Sequence, residues 1–136
     1  MNISILYGGT STEHKVSIQT GLAIAEAIKG RYNLDMVNLE SEIYNAPQLL
    51  LGTDLVFNAL HGGDGENGSV QAFLDMHHIS YTGSGAKACK IAMDKNITKL
   101  IARSVNVPTP NWIVLTRDKY TGIKLQDNQS PRFSYP

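Results

Sequence analysis

The side chains best suited to chemistry are concentrated in one run, residues 54–74, which reads DLVFNALHGGDGENGSVQAFL. An apolar segment at residues 55–60 leads into His61, and a glycine-rich stretch with acidic side chains follows it. From Ser69 onward the sequence reads as the start of a helix. A glycine-rich junction between a strand and a helix is where α/β proteins place anion and ligand sites. The added imidazole and carboxylates indicate more than a structural turn.

A second candidate loop, GGTSTE at residues 8–13, follows the first apolar segment and precedes a helix. Its glycines allow backbone amides to approach a ligand, and its hydroxyls and the helix start favour anions. Glu13 has two interpretations. Its carboxylate can hold a ligand amine, or it can simply balance the positive end of the helix macrodipole.

Three further side chains also have both a functional and a structural interpretation. His61 ends a strand at the carboxyl edge of the predicted sheet, where ligands bind in open α/β folds, but a lone histidine is often a structural hydrogen-bonding residue. Glu66 either faces a ligand or acts as a capping or first-turn acid of the next helix. Lys95 follows Asp94 between two short helices. It either contacts a phosphate as a point charge or is a solvated surface lysine.

Other chemistries have weaker support. Residues 63–68 match the G-x-G-x-x-G pattern of a dinucleotide-binding oxidoreductase. However, two residues separate them from the strand, and no acidic residue ends a strand about 20 positions later. The single cysteine, Cys89, excludes an internal disulfide and is interpreted as a core residue rather than a catalytic thiol. The histidines lack the spacing of a zinc site; they are His14, His61, His77 and His78.

Strands alternate with helices along the chain, which predicts an α/β fold with an open, mainly parallel sheet and helices on both faces. The predicted strands are residues 3–7, 34–39, 54–60, 79–82 and 112–116. The predicted helices are residues 16–29, 69–77, 86–93 and 95–105, with one helical turn after Pro47 in the loop at 40–52. Gly30 and Asn106 stand where left-handed helix ends belong. Residues 1–116 are expected to form one domain, and the polar residues 117–136 a linker or the start of a further region.

The composition limits the class of partner. Basic and acidic residues balance at 12 each and the pI is about 6.9, so no nucleic-acid or membrane-surface partner is indicated. The first residues, NISILYGG, are a short apolar segment that meets glycine, unlike a signal peptide. A cytoplasmic location is therefore expected.

Four blocks, taken in order, are more specific than any single motif. They are LYGGTSTEHKVSIQTG (6–21), NALHGGDGENGSVQAFL (58–74), ISYTGSGAKACKIAMDKNITK (79–99) and VPTPNW (107–112). On these blocks the chain resembles the N-terminal domain of the D-alanine–D-alanine ligases, ATP-grasp enzymes of peptidoglycan synthesis. The resemblance implies a Rossmann-like domain that precedes the ATP-grasp region.

The resemblance also implies roles for individual residues. Glu13 looks like the catalytic acid that orients the first D-alanine near its amino group, with Val16 and Ser17 completing the pattern beside it. His61 looks like another substrate-binding residue. Lys95 resembles the lysine that contacts the phosphates of ATP.

The remaining implications concern the complete enzyme. It would use ATP and Mg²⁺, form a homodimer through this region, and carry its metal ligands and most of its nucleotide site beyond Pro136. On this expectation the 136-residue chain alone is inactive. The alternative from another class is a stand-alone binding or dimerisation module that lacks catalysis.

Overall fold

The structure is a computed structural model that describes residues 1–40 and 47–114, and it divides into two units that are treated separately. The first unit, Met1–Asp94, contains a four-stranded sheet in the order β2-β1-β3-β4. Its strands are β1 (Asn2–Gly8), β2 (Asn33–Leu39), β3 (Leu55–Asn58) and β4 (Ser80–Tyr81). Its helices are α1 (His14–Ile28), α2 (Ser69–Met76) and α3 (Ala86–Met93), with 3₁₀ turns at Pro47–Leu50 and Gly63–Gly65. All three strand pairs are parallel, which confirms the predicted α/β class.

The two faces of the sheet bury different helices, as predicted. Along β1, Ile3 and Ile5 belong to an apolar cluster that also contains Ile24 and Ile28 of α1. Leu6 belongs to a second cluster, on the face that α2 covers. The other fully or nearly buried members of this second cluster are Val37, Leu39, Leu50, Val56, Leu60, Val70, Phe73 and Leu74. Because side chains alternate between the faces of a strand, a single strand anchors both layers.

Most of the predicted elements are present, with differences at their ends. Helix α1 begins at His14, two residues before the predicted start, and Gly30 follows its end with a φ of +76°, as the predicted glycine cap requires. Strand β4 has two residues instead of four. The 3₁₀ turn at Pro47–Leu50 confirms the predicted helical turn. Residues 41–46 and the polar tail at 117–136 lie outside the described residues.

The described part of the second unit is built around α4 (Lys95–Ser104). The Trp112 indole Nε1 donates to Asn96 Oδ1 at 2.8 Å. The cations of Lys99 and Arg103 lie 5.4 and 4.6 Å from the centre of the Trp112 ring. Asn106 has the left-handed φ of +59° predicted for a helix end.

The predicted strand at residues 112–116 is wrong for residues 112–114, which form no strand; residues 115 and 116 lie outside the described range. The β-branched and aromatic sequence favours a strand, but the contacts of Trp112 with α4 replace sheet pairing. None of the helices within residues 1–40 and 47–114 has the length and apolar character needed to cross a bilayer.

Gly21 is where α1 comes closest to β1. A Cβ at this position would lie 2.6 Å from Tyr7 Cβ, nearer than two carbon atoms can approach. We expect Gly21→Ala to lower the free energy of unfolding by about 1–3 kcal/mol through overpacking, despite the better helix propensity of alanine. Urea unfolding would measure this. The control is Gln19→Ala at an exposed position of the same helix, where a change within about 0.5 kcal/mol is expected. Equal stability of the two variants would contradict the close contact.

The stability of the fold depends on the protonation of Tyr81 at alkaline pH. Burial and the hydrogen bond from its hydroxyl to Asp75 Oδ1, 2.9 Å long, raise the pKa of Tyr81 above its ordinary value of 10.0. The protonated phenol therefore stabilises the fold below about pH 10, and this contribution is lost as the pH rises through the higher folded-state pKa. We expect Tyr81→Phe to lose less stability than the wild type between about pH 9 and about pH 11. Parallel pH dependence of the two proteins in thermal unfolding would contradict this.

Candidate functional site

The candidate site lies where the strand order changes direction. From β1 the chain passes to β2 on one side, and β3 pairs on the other side of β1. Because β1 and β3 are parallel neighbours, the loops that follow them leave from the same edge of the sheet. Open α/β sheets bind ligands at such a switch point, outside the carboxyl ends of the strands. The two loops are residues 9–13 and 59–68, and they contain the two glycine-rich segments that were predicted to bind a ligand.

Two serine hydroxyls, one in the first loop and one in α1, bind the backbone of the second loop. Ser11 Oγ donates to the backbone oxygen of His61 at 2.5 Å and accepts from the backbone N–H of Glu13 at 3.1 Å. Ser17 is fully buried, and its Oγ donates to the backbone oxygen of Ala59 at 2.8 Å. The hydroxyls thus fix His61 and Glu13 relative to each other through the backbone.

These contacts bring three titratable side chains together: Glu13, His61 and Glu66. Their ligand-type atoms all lie within 4.8 Å of one another. The two glutamates are exposed, His61 is half-buried, and neither carboxylate forms an ion pair with another described residue. Two unpaired carboxylates beside an imidazole form a site for a cationic group. The carboxylate oxygens can accept the hydrogen bonds of an ammonium group, and the same three residues are also a candidate set of metal ligands.

Glu66 neither caps α2 nor lies in its first turn, so that interpretation of the sequence is wrong. The N-cap of α2 is Gly68, no acidic residue lies in the first turn of the helix, and no side chain caps it. Asn67 supplies the local turn instead, because its Oδ1 accepts from the N–H of Ser69 at 2.9 Å. The carboxylate of Glu66 is therefore left to the cluster with Glu13 and His61.

Two side-chain amides donate hydrogen bonds to the backbone of the loop that follows β3. Asn58 Nδ2 and Gln71 Nε2 both donate to the backbone oxygen of Gly65, at 3.0 and 2.8 Å. Asn58 Oδ1 also accepts from the N–H of Leu60 at 3.2 Å. The side chain of Gln71 is buried. These side-chain hydrogen bonds hold the glycine-rich loop in one conformation without a bound ligand.

The structure weakens the dinucleotide interpretation of residues 63–68. The third glycine of that pattern, Gly68, is the N-cap of α2, where a bound pyrophosphate would have to lie. A Cβ built on Gly68 would meet the backbone oxygen of Ala86 at 2.4 Å. The start of α3 thus approaches the same helix end, and an acceptor atom rather than open space lies there.

A small cleft lies between the two loops, with a volume of about 30 Å³. Its polar lining comes from Thr10, Ser11, His61 and Asp64. A cavity needs about 10–15 Å³ of this kind of volume to hold one water molecule, so the cleft has room for only a few waters and does not enclose an amino acid. Among the described residues of the first unit, the two loops therefore form one wall of a site.

The predicted site residues have different outcomes. Glu13 and His61 lie together, as expected of two residues that contact one ligand. Val16 is 45% exposed, whereas Ser17 is fully buried and its hydroxyl donates to the backbone oxygen of Ala59; the substrate-binding roles of both residues stay predictions. Lys95 is the first residue of α4 in the second unit, and its role at a phosphate stays a prediction.

The sequence pattern assigned the hydroxyls of the first loop to anions and did not predict the contacts of Ser11 and Thr20 with His61. Thr20 Oγ1 lies 3.0 Å from His61 Nε2. The available signal was helical spacing, because Thr20 follows Glu13 by seven residues, or two helical turns, and so lies on the same face of α1. No comparable signal marks Ser11, since its partner is a backbone oxygen in a loop 50 residues away.

The bond from Ser11 to His61 can be tested by deletion. We expect Ser11→Ala to lower the free energy of unfolding by about 0.5–1.5 kcal/mol, because a hydroxyl that serves two partners is lost. The amide resonances of residues 61–66 should shift more than those of the distant strand β2. Thr12→Ala, at an exposed position of the same loop, is the matched control and should leave both measurements nearly unchanged. Identical spectra for the two variants would contradict the link between the loops.

Comparison with known proteins gives a consistent result. The family model described as D-ala D-ala ligase N-terminus matches residues 38–84. The chain is 43% identical over 115 residues to the D-alanine–D-alanine ligase of Coprothermobacter proteolyticus, covering 83% of this chain and 38% of that protein. It is 39% identical over 127 residues to the ligase of Anaplasma centrale, covering 91% of this chain and 60% of that protein.

Solved structures agree with the sequence comparisons. The D-alanine–D-alanine ligase of Bacillus anthracis, crystallised with ATP, superposes with a TM-score of 0.81 at 38% identity. The match covers 87% of this chain and 39% of that one. The ligase of Coxiella burnetii has a TM-score of 0.75 at 24% identity, which supports the fold alone. The chain thus spans about two fifths of the length of most of these relatives.

Proposed function

Because this chain belongs to the D-alanine–D-alanine ligase family, as its N-terminal domain, we propose that its two loops bind the D-alanine whose carboxylate the ligase activates. One observation carries this proposal: the ligand-type atoms of Glu13, His61 and Glu66 lie within 4.8 Å of one another at the switch point of the sheet. An amino acid at neutral pH offers an ammonium group and a carboxylate. The two glutamates can accept hydrogen bonds from the ammonium group, and the imidazole can donate one to the carboxylate.

The roles follow from the charges. Glu13 accepts a hydrogen bond from the substrate ammonium, and Glu66 adds a second negative charge beside it. His61 donates to a carboxylate oxygen through a ring N–H. The hydroxyl of Ser11 fixes the two loops, so that these groups are positioned before the ligand arrives.

In the reaction proposed for the whole protein, a carboxylate oxygen of the first D-alanine attacks the terminal phosphorus of ATP, which gives an acyl phosphate and ADP. The amine of a second D-alanine then attacks the acyl carbon, phosphate leaves, and the amine loses a proton. Mg²⁺ and cationic side chains would stabilise the transferring charge. In this scheme Lys95 contacts the ATP phosphates as a point charge. The product would be the dipeptide used in peptidoglycan synthesis.

The chain matches relatives that are mostly more than twice its length, so we assign turnover to the whole protein and substrate binding to this domain. We further propose a cytoplasmic location and a homodimer formed through this domain. A light-scattering mass equal to one chain at high concentration would count against the dimer. A stand-alone module that only dimerises would show no response to D-alanine, which separates the two functions.

The decisive variant is Glu13→Gln, which keeps the shape of the side chain and removes its charge. We expect D-alanine to perturb the amide resonances of residues 9–13 and 59–68 in the wild-type chain, and L-alanine to do so less. The variant should weaken D-alanine binding by roughly 10- to 100-fold, the worth of a hydrogen bond to a charged group.

The matched control is Glu26→Gln on the same helix. Glu26 is exposed, pairs only with Lys29 among the described residues, and lies about 20 Å along α1 from Glu13. Its affinity for D-alanine should equal that of the wild type. If Glu13→Gln and Glu26→Gln bind D-alanine equally well, Glu13 is not the acid that holds the ammonium group.

A further inference from the structure

Both the backbone and the ring of His61 have a hydrogen-bond partner. Its backbone oxygen accepts from Ser11 Oγ, and its ring Nε2 lies 3.0 Å from Thr20 Oγ1. Thr20 belongs to α1, a rigid element whose N-terminus carries Glu13. The ring therefore has one fixed polar partner, and that partner belongs to the same helix as the acid of the cluster.

The direction of this hydrogen bond decides where the imidazole carries its proton. A threonine inside a helix often donates its hydroxyl hydrogen to the backbone oxygen four residues earlier, which here is that of Val16. No such bond is present, and within the described ranges Thr20 Oγ1 bonds only to His61. The hydroxyl hydrogen is thus free to point at the lone pair of Nε2.

We propose that Thr20 is the positioning residue of His61: its hydroxyl donates to Nε2 and holds the neutral ring in the tautomer that carries its proton on Nδ1. Nδ1 has no hydrogen bond to any residue that the structure describes, so its N–H is the donor left for a ligand. The identity of the acceptor as an amino-acid carboxylate rests on the proposed function, but the tautomer does not.

The tautomer is observed directly by long-range ¹H–¹⁵N correlation of the imidazole in the 136-residue chain. The measurement is made at a pH at which the ¹⁵N shifts of the ring show its neutral form. We expect the wild type to show Nδ1 as the protonated nitrogen of His61 and Nε2 as the acceptor. Nε2 protonation in the wild type would overturn the proposal, because the threonine would then be the acceptor.

Two variants separate positioning from packing. Thr20→Val keeps the branched shape but removes the hydroxyl, and it should reduce the ratio of Nδ1–H to Nε2–H tautomer several-fold. Thr20→Ser restores the hydroxyl and should return the ratio toward the wild-type value. Thr12→Val, which removes an exposed hydroxyl from the loop, should leave the ratio unchanged. An unchanged ratio in folded Thr20→Val would overturn the proposal. So would a folded Thr20→Ser whose ratio differs from that of the wild type. Either variant alone is a sufficient test if the other does not fold.

A D-alanine titration of the same proteins distinguishes this inference from the proposed function. We expect Thr20→Val to bind D-alanine about three- to tenfold more weakly than the wild type, the worth of one neutral hydrogen bond. If the wild type shows the Nδ1–H tautomer but does not respond to D-alanine, the proposed substrate is wrong and the role of Thr20 stands. If D-alanine binds wild type and Thr20→Val equally, the function stands and Thr20 does not position the donor.

Discussion

The pairing of β1 with both β2 and β3 is the constraint on which the rest of the first unit depends. It places β1 in the middle of the sheet, with Ile5 and Leu6 fully buried on opposite faces. It also makes the loops after β1 and β3 neighbours, although about 50 residues separate them along the chain. A slip of one residue in either register would exchange the two faces and separate the loops.

Neutral hydrogen bonds, rather than ion pairs, shape the candidate site. Within the described ranges the ion pair is that of Lys29 with Glu26, on the surface of α1, where such a pair contributes little. Serine hydroxyls and buried amides fix the backbone of both loops. The acids of the site are thus left without cationic partners, which is the state that a site for an ammonium group requires. Fold and binding use separate sets of interactions.

The sequence was sufficient for the architecture and for the two side chains on which binding is proposed to depend. Periodicity and glycine positions predicted the parallel sheet, both helix layers and the ends of α1 and α4, because these follow from local rules. Glu13 was singled out because it ends a glycine-rich loop at the start of a helix, and His61 because it ends a strand just before such a loop. Glu66 was left undecided between a helix cap and a ligand contact, because α2 begins at Ser69, and only the structure shows that the acid lies before the first turn.

The failures share a cause, which is contact between segments that local rules do not relate. Residues 112–114 have strand-forming side chains, yet Trp112 packs on α4 through Asn96 and two cations. Ser11 and Thr20 were missed because their partner, His61, is 50 and 41 residues away. The contacts with His61 are set by the register of the sheet, which a single sequence does not specify.

The same separations determine when during folding the site can exist. The bonds that assemble it join residues 41 to 50 positions apart, and none of them lies within one hairpin or helix. The segment from β1 to α1 contributes Glu13 alone, and the segment from β3 to α2 contributes His61 and Glu66 without Glu13. The site therefore forms only when β3 docks on β1, after the chain has met the entropy cost of a long loop closure. A chain synthesised from its N-terminus carries Glu13 for roughly fifty residues of elongation before His61 and Glu66, the other two members of the cluster, have been made.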